Sequence, residues 1–360
     1  MKKIGIIELC EKNHHSMIYN WISIANVNNW DITLFTTESI YENVKDELRL
    51  LNYNLVLKDR SSFFFFKKIK NHYKEFKLDS LIFLSITRGF FSLLFLRFKK
   101  INLGITIHNS NAWFLGGKPK KIRHLPKIYV RSTLKKDANF FIVNSSNMKN
   151  YIDLNFIETK PIHILPFSLR RTKVKKVFEN QFTTVYPGSV NVNRKNYDSF
   201  ITLAKENPED KFILLGSYVN DKKSIDVFNK MKEIRNIKVF EDYVPLKDFH
   251  NILGNCNLLF SDIAVNFELA EMREVYGLTK DSGISYSMIE YSKPLLVNKS
   301  FKNLLELDDC TLYFQNKENL LNLYKRLRDD SSTLISIQNR IKNNTKQYSV
   351  EHYAKSLRNL

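Results

Sequence analysis

FTTVYPGSVNVNRKNYDSFITLAKENPEDKFILLGSY, residues 182–218, is the stretch that decides how the chain folds. FTTVYPGSV is rich in β-branched and aromatic residues and ends in a glycine turn, which predicts a strand. YDSFITLAKEN spaces its apolar residues for a helix, and KFILLGSY is a second strand ending near glycine. Strand, helix and strand in that order make a unit of parallel sheet with helices on its faces.

The same alternation runs on in both directions. Downstream come IDVFNKMKEI (helix), IKVFEDYV (strand), LKDFHNILGNC (helix), NLLFSDI (strand), GISYSMIEY (helix) and KPLLVN (strand), and the tail from NLLNLYKRLRDD is helical. Upstream, KIGIIEL, DITLFTT, YNLVLK, SLIFLSI, INLGITIH and ANFFIVN read as strands, separated by helical segments that include MIYNWISIAN, ENVKDELRLL and SSNMKNYI. PIHILPFSLRRTKVKK, residues 161–176, interrupts this rhythm with two prolines and a basic run. The expected organisation is therefore α/β, with two Rossmann-like domains facing a central cleft at the carboxyl ends of both sheets. They span 1–165 and 177–340, with 166–176 as linker and a final helix at 341–360.

Composition restricts the partners. The chain has 360 residues, 43% of them hydrophobic, enough for more than one average domain. Lysine and arginine outnumber acids 56 to 37, a net charge of +19 that calls for an anionic partner. Residues 118–136, KPKKIRHLPKIYVRSTLKK, contain no acid. Cys10, Cys256 and Cys310 follow no metal-ligand or disulfide spacing and suit a reducing cytosol. MKKIGIIELCEKNHH has too short an apolar run for a secretory signal, and the longest apolar run, around residues 89–96, is far below the ~20 residues that span a bilayer. The expectation is a cytoplasmic protein, peripheral on the inner face of the plasma membrane.

SSFFFFKKIKNHYKEFK, residues 61–77, bears on that contact. On a helix, Phe65, Phe66, Ile69, Tyr73 and Phe76 form one face for the core, while Phe63 and Phe64 fall among lysines. Phe63, Phe64 and Lys67, with Lys120, Lys121 and Arg123 as electrostatic support, are the candidate contacts to an anionic membrane. If the helix starts only at Lys67, the two rings are buried in a turn instead.

The chain has no G-x-G-x-x-G after a strand, no P-loop, no H-E-x-x-H, no paired C-x-x-C and no D-x-D. Against that background, PGSVNVNRKNYDSFITLAKENPEDKFILLGSY is similar to the opening of the donor domain of GT-B glycosyltransferases. IKVFEDYVPLKDFHNILGNCNLLFSD resembles the next strand, helix and strand of that family, and YGLTKDSGISYSMIEYSKPLLVNKS its most diagnostic loop, helix and Lys-Pro strand. DANFFIVNSSNMKNYI looks like the end of the acceptor domain, and SVEHYAKSLRNL like the last helix, which crosses back to the first domain.

The resemblance implies a sugar donor linked to a nucleotide diphosphate, UDP or GDP, bound mainly by the second domain, with no cofactor and no metal. Lys195 matches the donor-diphosphate lysine of the retaining, family-4-like group, at the turn formed by Gly188 and Ser189, with Arg194 beside it. A cation there stabilises the charge growing on the leaving diphosphate. The paired glutamates of that group are not retained, because counting back from Pro294 places them on Ser287 and Thr279. Either Asp281 or Glu290 takes over their contacts, or Lys280, Ser282 and Gly283 hold phosphate at the start of a helix.

In the first domain, His108 ends the strand INLGITIH and Asn109 follows it, on the acceptor side. His108 resembles the histidine that the retaining group places beside the transferred sugar, and its imidazole also suits a base. Glu8 is a second candidate base, and His14 and His15 follow the same strand towards the acceptor side.

The expected activity is transfer of a sugar to a saccharide or a polyprenyl-diphosphate-linked saccharide in bacterial surface polysaccharide assembly, metal-independent and retaining. An inverting transferase using His108 or Glu8 as base is the close alternative. An epimerase on the same fold leaves the basic, aromatic face without a purpose. A nucleic-acid-binding protein would suit the charge, but no nucleic-acid module is recognisable and no such partner is expected. A non-catalytic GT-B scaffold subunit would account for the missing glutamates.

Overall fold

The computed structural model describes residues 1–10, 15–86, 89–116, 122–170, 181–268 and 272–360. The first domain is built on strands β1 (Lys3–Ile7), β2 (Asp31–Thr36), β3 (Asn54–Leu57), β4 (Ser80–Phe83), β5 (Leu103–Ile107), β6 (Phe140–Val143) and β7 (Ile162–Ile164). Its helices are α1 (His15–Val27), α2 (Glu38–Leu48), α3 (Ser62–Glu75), α4 (Phe90–Leu93), α5 (Leu125–Asp137) and α6 (Ser146–Asn155). The strands form one sheet in the order β3-β2-β1-β4-β5-β6-β7, with every pairing parallel.

The second domain has β8 (Thr183–Pro187), α7 (Asp198–Glu206), β9 (Lys211–Leu215), α8 (Lys222–Lys232), β10 (Ile237–Lys238), α9 (Leu246–Asn255) and β11 (Leu258–Ser261). An antiparallel hairpin, β12 (Asn266–Glu268) and β13 (Arg273–Val275), intervenes before α10 (Gly283–Tyr291) and β14 (Leu295–Asn298). The chain ends with β15 (Thr311–Phe314), α11 (Lys317–Asp329), α12 (Ser331–Asn344) and α13 (Val350–Ser356). The main sheet runs β10-β9-β8-β11-β14-β15, again all parallel. The expected pair of Rossmann-like domains is present. In each sheet the strand order reverses once, beside β1 and β4 and beside β8 and β11, and crevices form where strand order reverses.

Three hydrophobic cores hold this arrangement. One lies under α3, α4, α5 and α6 on one face of the first sheet, where Phe65, Phe66, Ile69, Leu93, Val130 and Met148 are buried. The opposite face packs against α1 and α2, and Tyr353, Ala354 and Leu357 from the C-terminal end join that core. α13 thus crosses back onto α1. The third core fills the second domain.

Details depart from the sequence-based expectation where local pattern misleads. Residues 341–360 are not one helix: α12 ends at Asn344 and α13 starts at Val350 behind the Ser349 cap. Ile162–Ile164, in the proline-bounded stretch, pairs with β6 as an edge strand. α3 does begin at Ser62, so Phe63 and Phe64 belong to the helix and are exposed. It stops at Glu75, however, which takes Phe76 off the helical face and leaves it 52% exposed, stacked on His72.

Candidate functional site at the cleft

The two glycine turns read from the sequence form the floor of the second domain's crevice. Gly188 follows β8 with φ +89°, and Gly216 follows β9 so closely that a Cβ on it would lie 2.7 Å from the Gly188 carbonyl carbon. Ser189 is exposed on this turn. Lys195 loops back beneath it and donates to the carbonyl oxygens of Pro187 and Gly188 at 2.7 and 3.0 Å, over the Tyr186 ring. Burial and the neighbouring Arg194 charge pull the Lys195 ammonium down to about 7. The lysine assigned to the diphosphate therefore staples the turn in this conformation.

Arg194 is exposed, and its guanidinium hydrogen-bonds Tyr276. Its charge acts directly on Lys280, whose pKa falls to about 8 through burial first and Arg194 second. Two cations held against their mutual repulsion, beside the Ser282 cap of α10, make a place where an anion relieves strain. Gly283 opens that helix with no heavy atom within 4 Å of where its Cβ would be, so a ligand has access to the backbone there.

Lys280 also reaches the other domain and donates to Asn109 Oδ1 at 3.0 Å. This contact belongs to a seam of hydrogen bonds between the end of β5 and the segment from β13 to α10. Ser110 N–H donates to the Thr279 carbonyl at 2.8 Å, and Asn111 Nδ2 to the Arg273 carbonyl at 2.9 Å. Glu274, fully buried, accepts from Ala112 N–H at 2.9 Å and so caps the π-helical turn Ala112–Gly116.

Asp281 lies in the same seam. Ser145 Oγ donates to it at 2.8 Å, and Tyr286 O–H lies 2.6 Å from its other oxygen and 2.7 Å from the Asn144 carbonyl. A phenol has one proton, so satisfying both contacts requires Asp281 to supply another. Burial raises the Asp281 pKa in that direction. Asp281 locks the domains together here and leaves little to offer a donor sugar. Glu290 lies at the far end of α10, 3.7 Å from His250, which also meets Glu47 of α2. Ser287 bonds back to the Gly283 carbonyl inside the helix.

On the first domain's side, Glu8 follows β1 and Ser85 follows β4, directly at the strand-order reversal. Glu8 accepts from Ser85 Oγ and from Cys10 N–H, the latter at 2.7 Å. Complete burial raises its pKa to about 7, although these bonds and the nearby His108 pull the other way. His108 Nε2 meets the Leu84 carbonyl at 2.7 Å, and Nδ1 meets Asn144 Oδ1 at 3.0 Å. Asn144 Nδ2 donates to the Leu165 carbonyl at 3.1 Å, which fixes the amide orientation. Both ring nitrogens thus face oxygens, Leu84 on one side and Asn144 on the other, which fixes the ring in place at the strand end.

His14, Lys120 and Lys121 lie outside the described residues, as do linker positions 171–176. His15 opens α1, and Arg123 lies in a short 3-10 turn, Ile122–His124. Sequence reasoning missed Glu274 and the whole β12–β13 hairpin. Its one signal was the alternation in VNFE, too short to stand out, and REVY does not alternate at all. Among the described residues, no group of three or more His, Cys, Asp or Glu gathers as a metal site.

No family model and no curated protein sequence matches the chain. Solved structures do. HepE from Anabaena, in complex with UDP and glucose, is 13% identical with a TM-score of 0.69, and the match covers 100% of both chains. A glycosyltransferase from Rickettsia africae is 10% identical with a TM-score of 0.63, covering 99% of this chain and 96% of that one. The UDP-GlcNAc 2-epimerase from Neisseria meningitidis, bound to UDP-GlcNAc, is 13% identical with a TM-score of 0.60, covering 100% and 99%. At these identities the likeness establishes the two-domain GT-B architecture over the full chain.

Proposed function

We propose that the chain is a glycosyltransferase that binds a nucleoside-diphosphate sugar in the cleft and passes the sugar to a saccharide or lipid-linked saccharide acceptor. The observation that carries this reading is Lys280, just before the start of α10, which hydrogen-bonds Asn109 of the first domain and feels the charge of Arg194. A diphosphate bound there meets both cations and the α10 N-terminus, and these stabilise the leaving group as its charge grows. UDP is the favoured base, because HepE and the epimerase were solved with UDP ligands. Departure stabilised by protein cations needs no metal, and transfer with retention of configuration is the reading we adopt. The basic first domain fits a polyprenyl-diphosphate-linked acceptor at the inner face of the plasma membrane, in surface polysaccharide assembly.

A second reading, an inverting transferase with Glu8 as base, draws support from the near-neutral Glu8 carboxyl at the strand-order reversal. The anomeric configuration of the product, read by NMR, separates the two.

Titration calorimetry with UDP, GDP and CMP tests the donor site. UDP is expected to bind, and Arg194→Ala and Lys280→Met are each expected to weaken it by about tenfold, the loss of one charge-assisted contact. Arg194→Ala is the cleaner variant, since Lys280 also holds the interdomain seam. If no nucleotide binds, or if both variants bind like wild type, the proposal fails.

A further inference from the structure

The sequence pointed to Phe63 and Phe64 as a membrane handle, but the structure places them in a larger surface. α3, α4 and α5 follow β3, β4 and β5, and crossover helices run opposite to their strands. Their N-terminal turns therefore sit at the carboxyl edge of the sheet, the edge that faces the cleft. Each of these turns is apolar on the outside. Phe63 and Phe64 lie in α3, Phe91 in α4 with Phe95 just beyond, and Ile122 and Leu125 at the start of α5; all six are exposed, up to 84% at Ile122. Their neighbours Phe65, Phe66, Leu93 and Val130 fill the core on the inner side, so the outward rings are not needed for packing.

The elements are contiguous. A Cβ on Gly89, the residue before α4, would lie 3.1 Å from Ser62 Cβ in α3, and α4 packs in turn on α5. Basic residues dominate this stretch, although Lys68 is paired with Asp59, Arg97 with Asp137 and Lys135 with Glu158. Residues 80–136 contain 12 lysines and arginines and no acid, and residues 61–74 add four lysines, again without an acid. At the face itself, Lys67 is exposed and Lys127 half-buried.

We infer that this rim of α3, α4 and α5 is a docking surface for an anionic lipid bilayer, which seats the cleft mouth at the headgroups. Charge complementarity selects the occupant: two copies of so basic a face repel each other, whereas acidic headgroups neutralise it while the rings enter the interface. Ile122 and Leu125 also have no ring to stack on a nucleic-acid base. The inference extends the lipid-linked acceptor reading but does not depend on the donor site, because docking needs no nucleotide.

The test is co-sedimentation, without nucleotide, with vesicles of phosphatidylcholine alone or of phosphatidylcholine and phosphatidylglycerol. Wild type should sediment with the anionic vesicles and remain in solution with the neutral ones. Phe91→Ser/Phe95→Ser and Ile122→Ser/Leu125→Ser should each lower the partition coefficient by about tenfold or more, since each removes two interfacial anchors. Ile157→Ser changes a fully exposed residue outside the rim and should bind like wild type. All four side chains are exposed, so unchanged melting temperatures should confirm that the variants fold. Wild type remaining in solution with both vesicles, or rim variants sedimenting like wild type, overturns the inference. So does loss of oligonucleotide binding or self-association in the rim variants while vesicle binding persists.

Discussion

Gly277→Ala is expected to destabilise the protein by at least about 3 kcal/mol, the range of a forced backbone rearrangement. A Cβ at this position would stand 1.9 Å from the Lys302 carbonyl oxygen, a contact that no rotamer relieves, and the residue's φ of +80° disfavours any L side chain. The site depends on this turn. Gly277 N–H donates to the Lys280 carbonyl at 2.8 Å, and its own carbonyl accepts from Asn147 of the first domain at 3.0 Å. Movement here therefore displaces Thr279, Lys280 and Asp281 from the seam at once, and under the proposed function the alanine variant should lose nucleotide binding along with stability. Gly283→Ala is the matched control, because its Cβ meets open space at the start of α10. Its stability should stay within about 1 kcal/mol of wild type, or rise slightly from helix propensity. Urea denaturation of both variants decides the matter: equal midpoints would mean that the Gly277 turn does not hold the loop as described.

That contrast shows what the sequence could and could not disclose. Alternating strands and helices were legible because each unit is local, and a period of two or of 3.6 needs only a dozen residues to declare itself. The inward face of α3 was legible for the same reason, through Phe65, Phe66 and Ile69, and failed only at Phe76, where the helix ends. The interdomain seam had no such signature. Glu274 meets Ala112 across 162 positions, and Asp281 meets Ser145 across 136, pairings that leave no periodicity in either segment. Lys280 is legible as a residue just before a helix start, and Asp281 as a carboxylate near the places of the missing glutamates. The chemistry of each came from what the opposite domain brings to it. Lys195 illustrates the converse, since its position after a glycine turn was recognisable while the direction of its ammonium, onto the Pro187 and Gly188 carbonyls, was not.

Glu8→Gln is expected to raise stability, and to do so only at the upper end of the pH range. In the folded protein burial pushes the Glu8 carboxyl up to about 7, against its ordinary value of 4.5 in an unfolded chain. A raised carboxyl pKa means that the folded state holds the proton more tightly than the unfolded state does. The stability tied to this proton is fully present below pH 4.5 and is lost as pH rises towards and through about 7. By pH 8 the ionised, buried carboxylate costs about 3 kcal/mol, at about 1.36 kcal/mol for each tenfold difference in proton affinity between the folded and unfolded chain. Glutamine keeps an oxygen to accept from Ser85 and Cys10 N–H and carries no charge to desolvate. Its advantage over wild type should therefore grow by about 2 kcal/mol between pH 5 and pH 8, measured by urea denaturation at the two pH values. A pH-independent difference would mean that Glu8 is not held near neutrality. The functional arm runs in the opposite direction. A carboxylate kept in a position that weakens the fold at working pH is the signature of a group retained for its chemistry or for orienting its neighbours. If Glu8 accepts the acceptor's proton, Glu8→Gln abolishes transfer and leaves UDP affinity intact. If it only orients Ser85 and the strand ends at the cleft floor, the isosteric glutamine retains most of the turnover, and the retaining reading gains by elimination.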